Sequence, residues 1–268
     1  KGVLGTPRFM APEIVRGEAY PSMHSDVFSL AVLLFYMLMM HHPLEGKREL
    51  AIKCLDLPAM NKLYGTDPLF IYDPHDDSNR PVPGIHDNAI IFWKLYPTFI
   101  RDMFIEAFTL GIHDAHNGRV RESEWRVAMV HLRDSIYFCG HCGMENFYDK
   151  QTLIDSGGQL GQCWNCRHDL VLPPRIRIND DVVMLNYNTE LFPHHIDSSR
   201  LYDFSTPLAR VIQHPRDPSI WGLQNLSAEK WVSTTENGTI SDVPPKRSVT
   251  LAKGTTINFG MIEGVIRI

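Results

Sequence analysis

Two Cys-x-x-Cys pairs constrain this chain more than any other feature: Cys139 with Cys142, and Cys163 with Cys166, with twenty residues between the pairs. Such spacing matches a zinc site with four thiolate ligands, because two residues between cysteines let both sulfurs face one ion from a tight turn. Gly140 and Gly143 flank the first pair and suit the positive φ that such turns need, and Gly157, Gly158 and Gly161 predict a β-hairpin linking the two pairs. Four thiolates in a tetrahedron leave no coordination position open, so this zinc is expected to be structural and not catalytic. The competing reading is two disulfides or unrelated thiols. A thioredoxin-like redox pair needs a βαβ unit, and neither pair sits in such a pattern. His141 and His168 stand beside ligands and could replace one, but are read as neutral bystanders. The fifth cysteine, Cys54, follows Ile52 and precedes Leu55, and is expected to be a packed core thiol.

The remaining composition bounds the class. With 268 residues, 44% apolar and 21% charged, the chain reads as globular and excludes collagen, coiled coil and wholesale disorder. A net charge of −5 argues against a nucleic-acid partner. Around the cysteine pairs, Lys150 and Arg167 are opposed by Glu145, Asp149, Asp155 and Asp169. The longest apolar run, Val27–Met40, has fourteen residues, with Ser29 as its one strongly polar member. A membrane span needs about 20, so the run predicts a buried helix and no membrane partner. No export signal is visible, which implies a cytoplasmic chain with reduced thiols. The sequence opens at Lys1 and not Met, from which a piece of a longer protein is expected.

Composition and period divide the chain into three, giving a multidomain α plus β architecture. Residues 1–135 read as helical with long loops: the Val27–Met40 helix, a short helix over Arg48–Cys54, and helices at Ala89–Trp93, Pro97–Phe108 and Glu122–Leu132. Residues 65–88, rich in Pro, Gly and Asp, read as loop. Residues 136–170 are the ribbon. From 171 to 268 the texture turns β-branched, with runs at 175–178, 182–185, 248–251 and 255–259 bounded by turn residues, as in an all-β sandwich. Charge there is balanced, ten basic against ten acidic residues.

The N-terminal region carries a family resemblance. Gly5-Thr-Pro-Arg-Phe-Met-Ala-Pro-Glu13, then Ser25-Asp26-Val-Phe-Ser-Leu-Ala-Val-Leu-Leu, resembles the end of a protein-kinase activation segment, its Ala-Pro-Glu motif and the central helix of the large lobe. Ala107-Phe108-Thr-Leu-Gly111-Ile-His-Asp114, with Arg119 and Glu124-Trp125, is similar to that lobe's closing helices. The resemblance implies that Thr6 sits in the loop receiving a peptide substrate. It further implies that Glu13 forms a buried ion pair with Arg119, and that Asp26 holds the catalytic-loop backbone. From the residues alone, Asp26 is equally a helix cap and Thr6-Pro7 a turn. The Gly-rich loop, the strand lysine, the catalytic Asp and Asn, and the Asp-Phe-Gly motif of phosphoryl transfer all precede Ala-Pro-Glu in that family. None occurs in these residues, so no catalytic residue is assigned here, and ATP and magnesium are expected only in an intact parent. The expected partners are the N-terminal part of that kinase and protein substrates or regulators. Without that part, Leu30, Leu33, Leu34 or their neighbours are expected to be exposed.

A second resemblance concerns the β-rich end. Trp221-Gly-Leu-Gln-Asn225-Leu-Ser227, followed by Ser248–Gly254 and Ile257-Asn-Phe-Gly260, resembles the second half of a forkhead-associated domain, which would make Asn225 a holder of phosphopeptide backbone. That family's Gly-Arg pair and Ser-x-x-His are not found, so there is no evident fork for a phosphate, and docking or internal packing is the expected use. His194-His195 are read as loop residues. Together these features imply the C-terminal part of a bacterial-type Ser/Thr kinase, its substrate lobe followed by a regulatory tail. The alternative is a non-catalytic, zinc-binding scaffold with a remnant kinase lobe.

Overall fold

The computed structural model describes residues 5–268. The chain divides into two compact units, Lys1–Val130 and His131–Ile268. The first is organised by the long apolar run. After a 3-10 turn, Pro7–Phe9, and helix α1 (Pro12–Val15), helix α2 spans Met23–Met39. Ser22 starts α2 by a reciprocal cap: its hydroxyl accepts Ser25 N–H while Ser25 Oγ accepts Ser22 N–H. Ser25, Phe28, Val32, Phe35 and Met39 are buried, a 3-4-3-4 spacing that makes one stripe. Helices α3 (Lys47–Leu50), α4 (Leu57–Asn61), α5 (Asp87–Leu95), α6 (Thr98–Phe108), α7 (Leu110–His113) and α8 (Glu122–Asp134) follow. The α2 stripe meets aromatic rings: Phe35 packs edge-on against Phe70, Phe104 and Phe108 at centroid distances of 5.6, 5.0 and 5.8 Å. Such perpendicular pairs are favourable beyond the area they bury.

The helix at 48–54 is shorter than its sequence suggests. It ends at Leu50, the chain then turns outward, and Cys54 is exposed rather than packed in the core. Among the described residues no regular element lies between Thr66 and Asp87, yet this loop is ordered by buried polar groups. Asn79 donates to the Leu44 and Leu69 carbonyls (3.1 and 2.7 Å) and accepts Arg48 N–H (3.0 Å).

The second unit begins with a hairpin, β1 (Ile136–Phe138) and β2 (Glu145–Phe147), then helix α9 (Lys150–Asp155). The expected hairpin between the cysteine pairs is therefore displaced. The hairpin encloses Cys139 and Cys142, and the glycine-bearing stretch between the pairs follows a short helix capped by Asp149. Ten more strands follow: β3 (Arg175–Ile178), β4 (Asp181–Met184), β5 (Glu190–Leu191), β6 (Ala209–His214), β7 (Asp217–Asn225), β8 (Trp231–Thr234), β9 (Ile240–Val243), β10 (Ser248–Thr250), β11 (Thr256–Asn258) and β12 (Glu263–Arg267). They form two antiparallel sheets, ordered β10-β7-β6-β5 and β4-β3-β12-β11-β8-β9. Ile176, Ile178, Trp231, Ile257 and Ile266 from the larger sheet share one apolar cluster with Leu191, Val211 and Leu223 from the smaller.

His194 and His195 are not loop residues. They occupy a one-turn helix, α10 (Pro193–Ile196), in which Pro193 presets the first turn. His195 Nδ1 accepts Phe192 N–H (2.9 Å), and Nε2 faces Asp134 Oδ1 at 3.3 Å. No helix among the described residues is long and apolar enough to cross a membrane.

Gly46 marks the closest backbone approach. A Cβ there would lie 1.9 Å from the Asn79 carbonyl oxygen, an atom fixed in the backbone. Gly46→Ala is expected to cost about 3 kcal/mol or more, read as a fall in the denaturant midpoint. An effect under about 1 kcal/mol would show that the loop yields.

Candidate functional site

The segment from Gly5 to Arg16 is tied down by two arginines. Arg8, in the turn after Thr6, gives a two-pronged contact to Glu45 through Nε (2.7 Å) and Nη2 (2.6 Å), and Tyr64 Oη donates to the same carboxylate at 2.6 Å. Burial pushes the Glu45 carboxyl up, but the hydrogen bonds from Arg8 and Tyr64 and the Arg8 charge oppose it, and the group lies below its ordinary value. His42 is fully enclosed. Its Nε2 donates to the Arg8 carbonyl (2.7 Å) and its Nδ1 accepts Leu44 N–H (3.2 Å). Although Nδ1 lies 3.7 Å from Glu45 Oε1, its lone pair is spent on Leu44, so His42 is neutral and the contact is no ion pair. Burial pushes its pKa down to about 4.

The second arginine is Arg119, whose side chain is 3% exposed. Nη1 and Nη2 donate to the two oxygens of Glu13, 106 positions away, at 2.9 and 2.7 Å. Nη1 also donates to the His24 carbonyl (2.8 Å), Nε donates to the Gly111 carbonyl (3.0 Å), and the guanidinium lies 5.2 Å from the Phe28 ring centre. Burial raises the Glu13 carboxyl, but the Arg119 bonds outweigh this and hold it ionised. One guanidinium thus joins α1, the first turn of α2 and α7.

Thr6 is exposed in extended conformation, and its carbonyl accepts Phe9 N–H (2.9 Å). Asp26 is exposed in the first turn of α2, where a carboxylate gains from the helix dipole. Asp26, Leu30, Leu33 and Met37 are spaced 4-3-4 and so share one side of α2, and Met40 follows as its left-handed C-cap. Leu33, Met37, Met40 and neighbouring Tyr36 are exposed, while Leu30 and Leu34 are half-buried. A helix apolar all round is expected to be covered all round. This one presents a bare flank with a carboxylate at one end.

In the second unit the four cysteines come together. Cys139 and Cys166 sulfurs are 3.6 Å apart, and Cys142 and Cys163 are 3.7 Å apart. These distances fit the edge of a zinc–thiolate tetrahedron, about 3.8 Å for 2.3 Å bonds. The two knuckles repeat one backbone pattern. Cys139 O accepts Gly143 N–H (2.9 Å) and Cys163 O accepts Arg167 N–H (3.0 Å), while Cys139 and Cys163 N–H donate to Met144 and His168 carbonyls. Gly143 takes positive φ (73°), Gly140 does not, and in the second knuckle Arg167 fills that place at φ 64°. The N–H groups of Cys142 and His141 aim at the Cys139 sulfur and hold that thiol below its usual range. Burial pushes Cys163 up, but N–H groups of Cys166 and Asn165 outweigh it and bring it to about 6. At Cys166 the His168 N–H favours the thiolate, yet burial and the three facing thiols push it up to about 12. Thiolates crowded this way are relieved by a cation, so the donor set suits a metal ion.

Asn225, in contrast, faces inward. It is fully buried, its amide donates to the Glu229 and Val243 carbonyls (2.8 and 2.9 Å), and its Oδ1 accepts from Ser227 N–H and Oγ. Its polar atoms hold the sandwich's own turn together. The sequence reading missed Arg8, His42, Glu45 and Tyr64. The available signal was the polar His41-His42-Pro-Leu-Glu45 stretch directly after an apolar helix.

Residues 1–92 match the protein kinase domain family. Over 50 residues the chain is 42% identical to the G2-specific protein kinase fin1 of Schizosaccharomyces pombe, a stretch covering 19% of this chain and 7% of that relative. The first unit therefore contains a protein kinase-related segment.

The Glu13–Arg119 pair predicts strong coupling. Glu13→Ala and Arg119→Ala are each expected to cost about 3–5 kcal/mol, and the double variant less than their sum by at least about 1 kcal/mol. Simple additivity in urea denaturation would mean that the two charges do not depend on each other. His42 sets a pH dependence. Unfolded, it takes a proton near 6.5, and folded only near 4. The unfolded state therefore binds more protons, and stability is lost as pH falls from 6.5 to 4. At about 1.4 kcal/mol per pH unit, this amounts to about 3 kcal/mol for the first unit. A flat stability profile over that window would contradict a neutral buried His42. For the cysteine cluster, elemental analysis is expected to find about one zinc bound by it, and Cys139→Ser to release it and unfold the ribbon. Protein free of zinc with both pairs disulfide-bonded would overturn the site.

Proposed function

We propose that this chain is the substrate-binding portion of a Ser/Thr protein kinase, from the end of the activation segment onward, joined to a regulatory or docking tail made of a four-thiolate zinc ribbon and a β-sandwich. In this reading residues 1–135 form the lobe, 136–170 the ribbon and 171–268 the sandwich. The observation that carries it is the Arg119–Glu13 contact. It anchors the Ala-Pro-Glu turn from 106 positions away, as the resemblance implies. Thr6, exposed just before that turn, is positioned to meet a peptide. The carboxylate of Asp26 and the bare flank of α2 await the catalytic loop and its supporting helix. Phosphoryl transfer, with ATP and magnesium, then belongs to the intact parent, and this chain contributes substrate binding, rigidity and docking. Its tail resembles that of bacterial kinases, the sandwich serves packing or docking, and the setting is cytoplasmic.

The specific alternative is a non-catalytic scaffold, favoured by the same exposed apolar flank if a regulator covers it instead. Phosphate incorporation into a Ser/Thr peptide mixture by the parent protein with Mg-ATP discriminates the two. Transfer is expected in the parent and not in this chain alone. Asp26→Asn in the parent is expected to lower kcat by about 100-fold through misplacement of the catalytic loop, with folding intact. A parent that folds and binds zinc but transfers no phosphate would support the scaffold and overturn the kinase reading.

A further inference from the structure

A second group of metal-ligating side chains shares one sulfur with the four-cysteine cluster. His141, Cys166 and His168 each offer one ligand atom, and these three atoms lie within 4.8 Å of one another. The arrangement follows from the doubled knuckle. His141 lies inside the first knuckle and His168 two residues beyond the second, so bringing the four sulfurs together also brings the two imidazoles face to face. Their ring centres are 3.5 Å apart and their planes within 11°. His168 Nδ1 donates to the Cys166 carbonyl at 3.2 Å, which places the ring proton there and leaves the Nε2 lone pair available. Both rings are exposed, so each can turn about its side-chain bonds to aim at a common point. They border a groove that also contains Phe138, Tyr187 and Trp221, all within the second unit.

We propose that His141, His168 and Cys166 form a second, open metal site for a zinc-like divalent cation, with the Cys166 sulfur bridging it to the ion of the four-thiolate site. The proposal rests on the four-thiolate reading above. A thiolate bound to one ion keeps lone pairs that can engage another. Two imidazole nitrogens and one thiolate are a ligand set of the borderline-soft kind that such cations accept. Three protein ligands leave the fourth position open toward the groove, for water or an exchangeable ligand. That openness separates this site from its closed neighbour: the first ion is expected to be retained on dialysis and the second to exchange.

The test uses the full reduced chain loaded with one equivalent of zinc and titrated with Co²⁺ under visible absorption, with metal analysis at each point. A second equivalent is expected, with the spectrum of a mixed nitrogen–sulfur site, and the His141→Ala/His168→Ala double variant is expected to stop at one. Because both rings are exposed, that variant should keep the wild-type circular dichroism. If it does not, His141→Gln alone, expected to weaken the second equivalent at least tenfold, gives the same reading. A chain that binds one equivalent and no more overturns the second site while the four-thiolate reading stands. A second equivalent that survives the double variant also overturns it. A chain that retains no first equivalent refutes the four-thiolate reading, and this proposal with it.

Discussion

A buried guanidinium has to find acceptors for its donors or the fold pays several kcal/mol. Arg119 finds them in three places: Glu13, the His24 carbonyl and the Gly111 carbonyl. Each lies on a different segment of the first unit. The turn carrying Thr6 and Arg8 is consequently held at both ends, by Arg119 through Glu13 and by Glu45 through Arg8. Both contacts use a planar fork against a carboxylate, which fixes orientation as well as distance. A segment containing Gly5, Pro7 and Pro12 has little regular structure of its own, and two ionic clamps give it one position.

The two units reach stability by different routes. In the first, Phe28, Phe35, Phe70, Phe104, Phe108 and Trp125 supply a continuous apolar interior. The ribbon has no comparable interior: around its cysteines Tyr137, Asn146, Cys139 and Cys163 are the buried side chains between 136 and 170. On the proposed four-thiolate reading, the sulfurs and their ion take the place of a core, as in other small modules that depend on a metal. Arg167 shows the strain this tolerates, since a non-glycine residue at φ 64° costs about 1 kcal/mol. The knuckle geometry imposes it where Gly143 serves at no such cost in the other half.

The fourteen-residue apolar run Val27–Met40 made α2 legible as a buried helix, while its true start at Met23, set by the Ser22 cap, lay outside that run. The strands at 175–178 and 182–185 were legible as β-branched runs. The cysteine cluster was legible because ligand spacing is a short-range property. What sequence could not show was long-range pairing of polar groups. Glu45 meets Arg8 across 37 positions, and Asn79 meets Leu44 across 35. Neither leaves a periodic trace, so the loop over 65–88 read as unstructured punctuation although its backbone is firmly tethered. Cys54 was misplaced because flanking apolar residues suggest burial only if the helix continues, and it stops at Leu50. Asn225 was read through a family resemblance as a holder of phosphopeptide backbone, but whether its amide faced a ligand or its own domain depended on the Val243 carbonyl, eighteen positions on.

The bare flank of α2 also has a chemical signature. Met37 and Met40 extend their thioethers into water, while Met39 between them is enclosed. Peroxide would turn the outer two into polar sulfoxides and leave the inner one intact. A partner lying along this helix would act as a shield, so the helix would keep in its own sulfur chemistry a record of whether it is covered.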